Sequence, residues 1–106
     1  MLRGRPEALV ELYGALETFV RALGPVEIVA RERYVLLRSV RIFADLVIMV
    51  DALRVAVHLR RRVADSLFFK VVSDGKKVTL VAKLHSREDL KALQPYLREA
   101  YEISLQ

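Results

Sequence analysis

Cysteine is absent from the 106 residues. That excludes disulfides, thiolate nucleophiles and cysteine-ligated zinc. Histidine occurs twice, at His58 and His85, too few for a metal site built from histidine alone. No apolar run reaches the ~18–20 residues that a membrane-spanning helix needs. The opening Met1-Leu2-Arg3-Gly4-Arg5 leads into a helical pattern without the apolar core of a signal peptide. A cytoplasmic location with no membrane partner is therefore the expectation.

The usual signatures of chemistry are missing as well. There is no glycine-rich phosphate loop and no spaced His-Glu metal motif. None of the serines Ser39, Ser66, Ser73, Ser86 and Ser104 sits in a nucleophile elbow. Asp45 and Asp51 are the acidic residues nearest to a nuclease-like pair, but no Glu-x-Lys accompanies them. We assign no catalytic residue, no metal ligand and no cofactor, and expect a protein that is not an enzyme.

What is present is an apolar and basic chain. Apolar residues make up 54% and charged residues 29%, the balance of a globular body rather than a disordered one. The length suits a single domain over residues 1–106. A body this small has much surface for its volume, so part of the apolar content is expected outside the core. That motivates a homodimer. The net charge is +5 with a pI near 9.9, and most of the cations are arginine. Arginine's planar fork suits phosphate and carboxylate, which points to an anionic partner such as nucleic acid. A solvated basic surface explains the same surplus, and aromatic residues are not interleaved with the cations as a stacking surface would require.

The stretch Arg41–Arg60 organises the rest. It reads as two strands, Arg41–Val50 and Leu53–Arg60, reversing near Asp51–Ala52. In the second, Val55, Val57 and Leu59 alternate with Arg54, His58 and Arg60, giving one core face and one solvent face. His58 is expected as an exposed histidine beside those arginines. In the first, Phe43–Val50 is apolar on both faces apart from Asp45, as in a strand covered on both sides. With two helices at hand, the second cover is expected to be a partner subunit; a helical Leu46–Val50 is the competing reading. Asp45 is expected to pair with Arg38 or Arg41, or to face solvent.

The flanks read more plainly. Over Pro6–Leu23, apolar residues from Leu9 to Leu23 recur at helical spacing, with Pro6 in the first turn and Gly24-Pro25 as the stop. Gly14 interrupts this helix, at a cost of about 1 kcal/mol against alanine, and is expected to allow a close contact or to lie in solvent. Val26–Ala30 is a short extended piece and Tyr34–Arg38 a strand. Leu67–Val72 and Lys77–Leu84 form a hairpin about Ser73-Asp74-Gly75-Lys76. Ser86 caps a last helix, which Pro95 is expected to kink or divide. The sum is an α+β fold: a mainly antiparallel sheet of about five strands, packed on one face by N- and C-terminal helices.

Two sets of residues are candidates for binding. Arg38, Arg41, Arg54 and the run Arg60-Arg61-Arg62 would contact an anion or nucleic acid if they converge on one surface. Tyr34, Arg38 and Asp45 are the candidate pocket for a small ligand. The leading expectation is a non-enzymatic interaction or accessory domain that self-associates through its central strands. A nucleic-acid-binding module and a small-ligand-binding domain are the alternatives.

Several short motifs carry a family resemblance. They are Leu23-Gly24-Pro25, Tyr34-Val35-Leu36-Leu37-Arg38, Phe43-Ala44-Asp45, Ser86-Arg87-Glu88-Asp89-Leu90, then Leu97 and Ala100-Tyr101-Glu102. In this order they resemble an uncharacterised bacterial and archaeal family, a domain of unknown function. Its members occur as small stand-alone proteins and as parts of chains with endonuclease-like regions or labelled predicted transport proteins. The resemblance implies an α+β domain and no established activity. The family tends to carry a glycine- and aromatic-rich loop before its last strand. This chain has Ser73-Asp74-Gly75-Lys76 there, without an aromatic residue.

Overall fold

The computed structural model of the chain describes residues 4–106, and the opening Met1-Leu2-Arg3 lies outside them. The described elements are α1 (Glu7–Leu23), β1 (Glu27–Ala30), β2 (Val35–Arg38), β3 (Ile42–Ile48), β4 (Leu53–Leu59), β5 (Phe68–Asp74), β6 (Lys77–Leu84) and α2 (Arg87–Ser104). All strand pairings are antiparallel, in the order β1-β2-β3-β4-β6-β5. The fold is α+β as expected, with six strands where about five were expected. The extended piece after Pro25 accounts for the difference, because it pairs along its length with β2.

Strand alternation decides where the core lies. Val35 and Leu37, Ala44 and Leu46, Val55 and Val57, and Leu80 and Ala82 are all buried and share one parity of the pleat. Both helices turn their apolar stripes to that face: Leu12, Leu16 and Val20 from α1, Leu93, Leu97 and Ala100 from α2. Each fully buried leucine or phenylalanine contributes about 1.5–3 kcal/mol relative to exposure. A bulge between Leu37 and Arg38 leaves Phe43 as an extra residue in β3. Its ring turns into the core and meets Tyr101 edge-on, 5.5 Å between centroids and 83° between planes.

Local chemistry explains most boundaries. Pro6 is the N-cap of α1 rather than its first helical residue, and its carbonyl accepts from Leu9 and Val10. In α2 the Ser86 side chain accepts from the Asp89 amide at 3.3 Å, and the Asp89 carboxylate accepts from the His85 amide at 2.8 Å. The reciprocal pair resembles a capping box, one residue displaced on the return bond. The β5–β6 loop is Gly75-Lys76, one residue beyond the Asp-Gly pair that marks it. Gly75 alone takes positive φ, +63°, the pattern of a type II′ hairpin.

The strand reading of the central pair holds over the helical alternative: Leu46–Ile48 is strand, and the β3–β4 reversal is closed by the Met49 amide donating to the Ala52 carbonyl at 2.9 Å. One local expectation is corrected. Helix α2 runs unbroken through Pro95. Pro95 lies on the solvent side, so the Lys91 carbonyl it leaves free can be hydrated, while Leu93 and Leu97 hold the helix to the sheet. Within the chain strand β3 is covered on one face, as the two helices allow: Val47 points away from both and stays half-buried.

Candidate functional site

The second parity of the pleat forms a sheet face that carries no helix among the described residues. Register places Val29, Leu36, Asp45, Ala56, Val81 and Lys70 side by side in one row across all six strands. Val47, Arg54 and Lys83 form the next row towards the β3–β4 turn. A bulge between Phe68 and Lys70 turns the Phe69 ring over this second row, 5.9 Å from the Arg54 guanidinium and 5.4 Å from the Lys83 ammonium. Two cations lie within reach of one aromatic ring, and the ring remains 54% exposed. Val81 is buried on this face although no helix overlies it; the longer side chains beside it on the sheet provide the cover.

Asp45 and His58 occupy the middle of the face, and both differ from expectation. Asp45 pairs with neither Arg38 nor Arg41. Its carboxylate lies 3.5 Å from His58 Nε2, one diagonal step across the β3–β4 ladder. His58 is not an open surface histidine: its side chain is 15% exposed and its Nδ1 lies 3.2 Å from Thr79 Oγ1 on β6. The chain Asp45–His58–Thr79 spans three adjacent strands. It fixes the ring's orientation, but the strands around it are internal and use their amides in the ladder. The backbone donors that stabilise an oxyanion are therefore missing at this point. Asp51 sits exposed in the β3–β4 turn, apart from Asp45 at mid-strand.

The arginines do not form one surface. Arg54 is the second residue of β4 and Arg60 follows its end, so about 20 Å of strand separates them. Arg61 makes a two-bond fork to Glu99 on α2, at 2.8 and 3.0 Å, and that carboxylate raises its pKa further. Arg62 donates to Ser73 Oγ at 2.8 Å. Arg41 and Arg60 do meet, in a cavity at one end of the sheet. Arg38 closes β2 at that same end, opposite Glu27. Of the candidate pocket, Tyr34 precedes β2 and Arg38 ends it, about 13 Å along the chain, and Asp45 stands opposite Leu36 between them, with its carboxylate beside His58.

Two features escaped the sequence reading. Lys76 and Lys77 join Arg41 and Arg60 at the basic end. Antiparallel counting alone would have found them had the β4–β6 pairing been known, but β5 intervenes in the chain. Asp65 also anchors the β4–β5 connection. Its Oδ1 accepts from the Leu67 amide at 2.9 Å and its Oδ2 from the Tyr96 hydroxyl at 2.8 Å. Those bonds, the amide first, lower the Asp65 pKa, and Asp65 raises that of Tyr96. Elsewhere burial, with help from Glu17, pushes the Tyr13 hydroxyl up to about 12, as befits a neutral core tyrosine. Among the described residues no three His, Asp or Glu side chains gather as a metal cluster, and no helix is long and apolar enough to cross a membrane.

No curated protein and no solved structure matches the chain. The sequence profile of one family, described as a domain of unknown function (DUF5655), matches residues 1–104. With that match running from the first residue to the last turn of α2, the chain belongs to the DUF5655 family.

Proposed function

We propose that this protein is a non-enzymatic interaction domain that self-associates, a second copy covering the bare face of its sheet. The observation that carries the reading is the one-sided placement of α1 and α2, which leaves a face with Val29, Leu36, Val47, Ala56, Val72 and Phe69 turned outward. Phe69 and Val72 are 54% and 45% exposed. Large apolar side chains gathered on one face are a usual mark of an interface.

Three arguments favour a second copy pressed against the face. Its footprint is about six strands at 4.8 Å by about 20 Å, or roughly 550 Å² per partner, near the ~1,000 Å² total at which specific interfaces begin. The face carries both signs of charge, Asp45 and Glu27 with Arg54, Lys70 and Lys83, so two copies can offset one another. Both sheet edges are blunted: β1 has four residues, and β5 carries a bulge with a lysine beside it. Short, bulged and lysine-bearing edges discourage strand addition.

Sedimentation equilibrium across the micromolar range tests this reading. The expected result is a reversible dimer that Phe69→Asp combined with Val72→Asp converts to monomer, with the helical circular dichroism unchanged. A wild-type monomer at the highest soluble concentration defeats the proposal. So does a dimer that the double variant leaves intact.

A further inference from the structure

At one end of the sheet, antiparallel alternation brings together the start of β3, the end of β4 and the start of β6. The last turn of α2 overhangs them. Between these parts lies a cavity of about 560 Å³, within the size range of small-molecule sites. Arg41, Arg60, Lys76 and Lys77 line it, together with His58. No carboxylate is among the lining residues. The ion pairs among the described residues are Arg21–Glu17, His58–Asp45 and Arg61–Glu99, so these four cations belong to none. Arg60 donates to the neutral Gln106 amide oxygen at 2.8 Å, and Asp74, opposite Lys77 in the hairpin register, makes no ion pair with it.

We propose that this cavity binds a small phosphate-bearing ligand with an apolar or planar body, of about mononucleotide size. The four cations outnumber the negative charge that the fold places beside them. The end of α2 presents about half a negative charge through its carbonyls and has no basic residue in its last turn. One cation would balance that, and four are present. A single carboxylate leaves most of them unmatched, whereas a phosphate ester brings about −1.5 to −2 and three acceptor oxygens. Two arginine forks and two lysines suit that geometry.

The apolar body of the ligand follows from the opposite wall. Ile42 is 44% exposed beside Arg41, and Ile103 of α2 is half-buried across from it. A ligand that places its phosphate on the cations and its body on these side chains uses both. This assignment does not rest on self-association: the four cations, Ile42 and Ile103 lie at the end of the sheet, and His58 is the lining residue that also faces the bare side.

Isothermal titration of the full chain with ADP, inorganic phosphate and a ten-nucleotide single-stranded DNA, at low and physiological salt, tests it. ADP is expected to bind and to raise the melting temperature. Lys76→Ala with Lys77→Ala, in an exposed turn, should weaken ADP at least tenfold. Arg54→Ala, at the far end of β4, should leave it unchanged. Phosphate alone should bind at least tenfold more weakly than ADP. No binding of ADP at low salt overturns the proposal, as does equal binding by the lysine variant. Phosphate binding as tight as ADP removes the apolar half of the assignment. DNA that binds more tightly than ADP, with a steep salt dependence lost in the lysine variant, overturns the small ligand in favour of a polynucleotide.

Discussion

The backbone of Gly24 rests on the phenol of Tyr101. A Cβ built at Gly24 would collide with the Tyr101 hydroxyl and come within 3.1 Å of Cζ. Gly24 also takes φ +147°, a conformation open in practice only to glycine. The segment that ends α1 is thereby seated on the inner side of α2, and Tyr101 in turn holds Phe43. The sequence alone presents Gly24-Pro25 as a helix stop. The structure adds a packing role.

Gly24→Ala is accordingly expected to destabilise the protein by about 2–4 kcal/mol, through backbone strain and overpacking together. The two causes separate in a double-mutant cycle with Tyr101→Phe. Removing the hydroxyl should restore the steric part of the loss and leave the backbone part. Urea midpoints of the four proteins check this, and strict additivity would show that Gly24 and Tyr101 are not coupled.

Gly14 should behave in the opposite way. It is exposed in mid-helix, and a Cβ there would have no heavy atom within 4 Å. Gly14→Ala is expected to stabilise by roughly 0.5–1 kcal/mol, the helix-propensity difference with no packing cost. A lower urea midpoint for the variant would refute the open placement of Gly14.

The core placement carries its own test. Leu16 of α1 and Leu80 of β6 are 1% and 0% exposed in the same cluster. Either leucine changed to alanine is expected to cost about 2–5 kcal/mol, with a lower unfolding midpoint and an unchanged denaturant slope.

Periodic features were legible because their signals are local. The stripe from Leu9 to Leu23, the alternation of Val55, Val57 and Leu59, the Asp74-Gly75 turn and the Ser86 cap each act within a few residues. Pairings between distant segments were not. Strand β6 lies between β4 and β5, so Lys77 meets Arg60 and Thr79 meets His58 across a gap that no short-range pattern encodes. The same holds for Arg61 with Glu99, 38 residues apart. Asp45 was singled out correctly as the one acid in an apolar strand, but its partner depended on register: Ala56 stands opposite, which puts His58 one diagonal step away. The lone proline inside α2 does not divide the helix, because propensity weighs the lost amide bond and not the apolar contacts that carry the helix past it.

The Asp65–Tyr96 bond should be visible in the pH dependence of stability. It joins the β4–β5 connection to α2 and requires an ionised carboxylate with a protonated phenol. The folded Asp65 pKa lies below the ordinary value. Its contribution is therefore full above the unfolded value near pH 4 and is lost as pH falls through the lower folded value. Tyr96 is shifted upward, so its contribution is full below about pH 10 and disappears as pH rises through the folded value. Both groups are largely solvated, which holds the bond to roughly 0.5–1 kcal/mol. Tyr96→Phe should thus lower stability by that amount between about pH 5 and pH 9, with the gap to wild type closing at either extreme. Urea unfolding from pH 3 to pH 11 measures it. Because Tyr96→Phe keeps the ring that packs on Phe68 at 5.0 Å, a gap that stays constant across the whole range would show that the hydroxyl acts without the ionised Asp65 carboxylate.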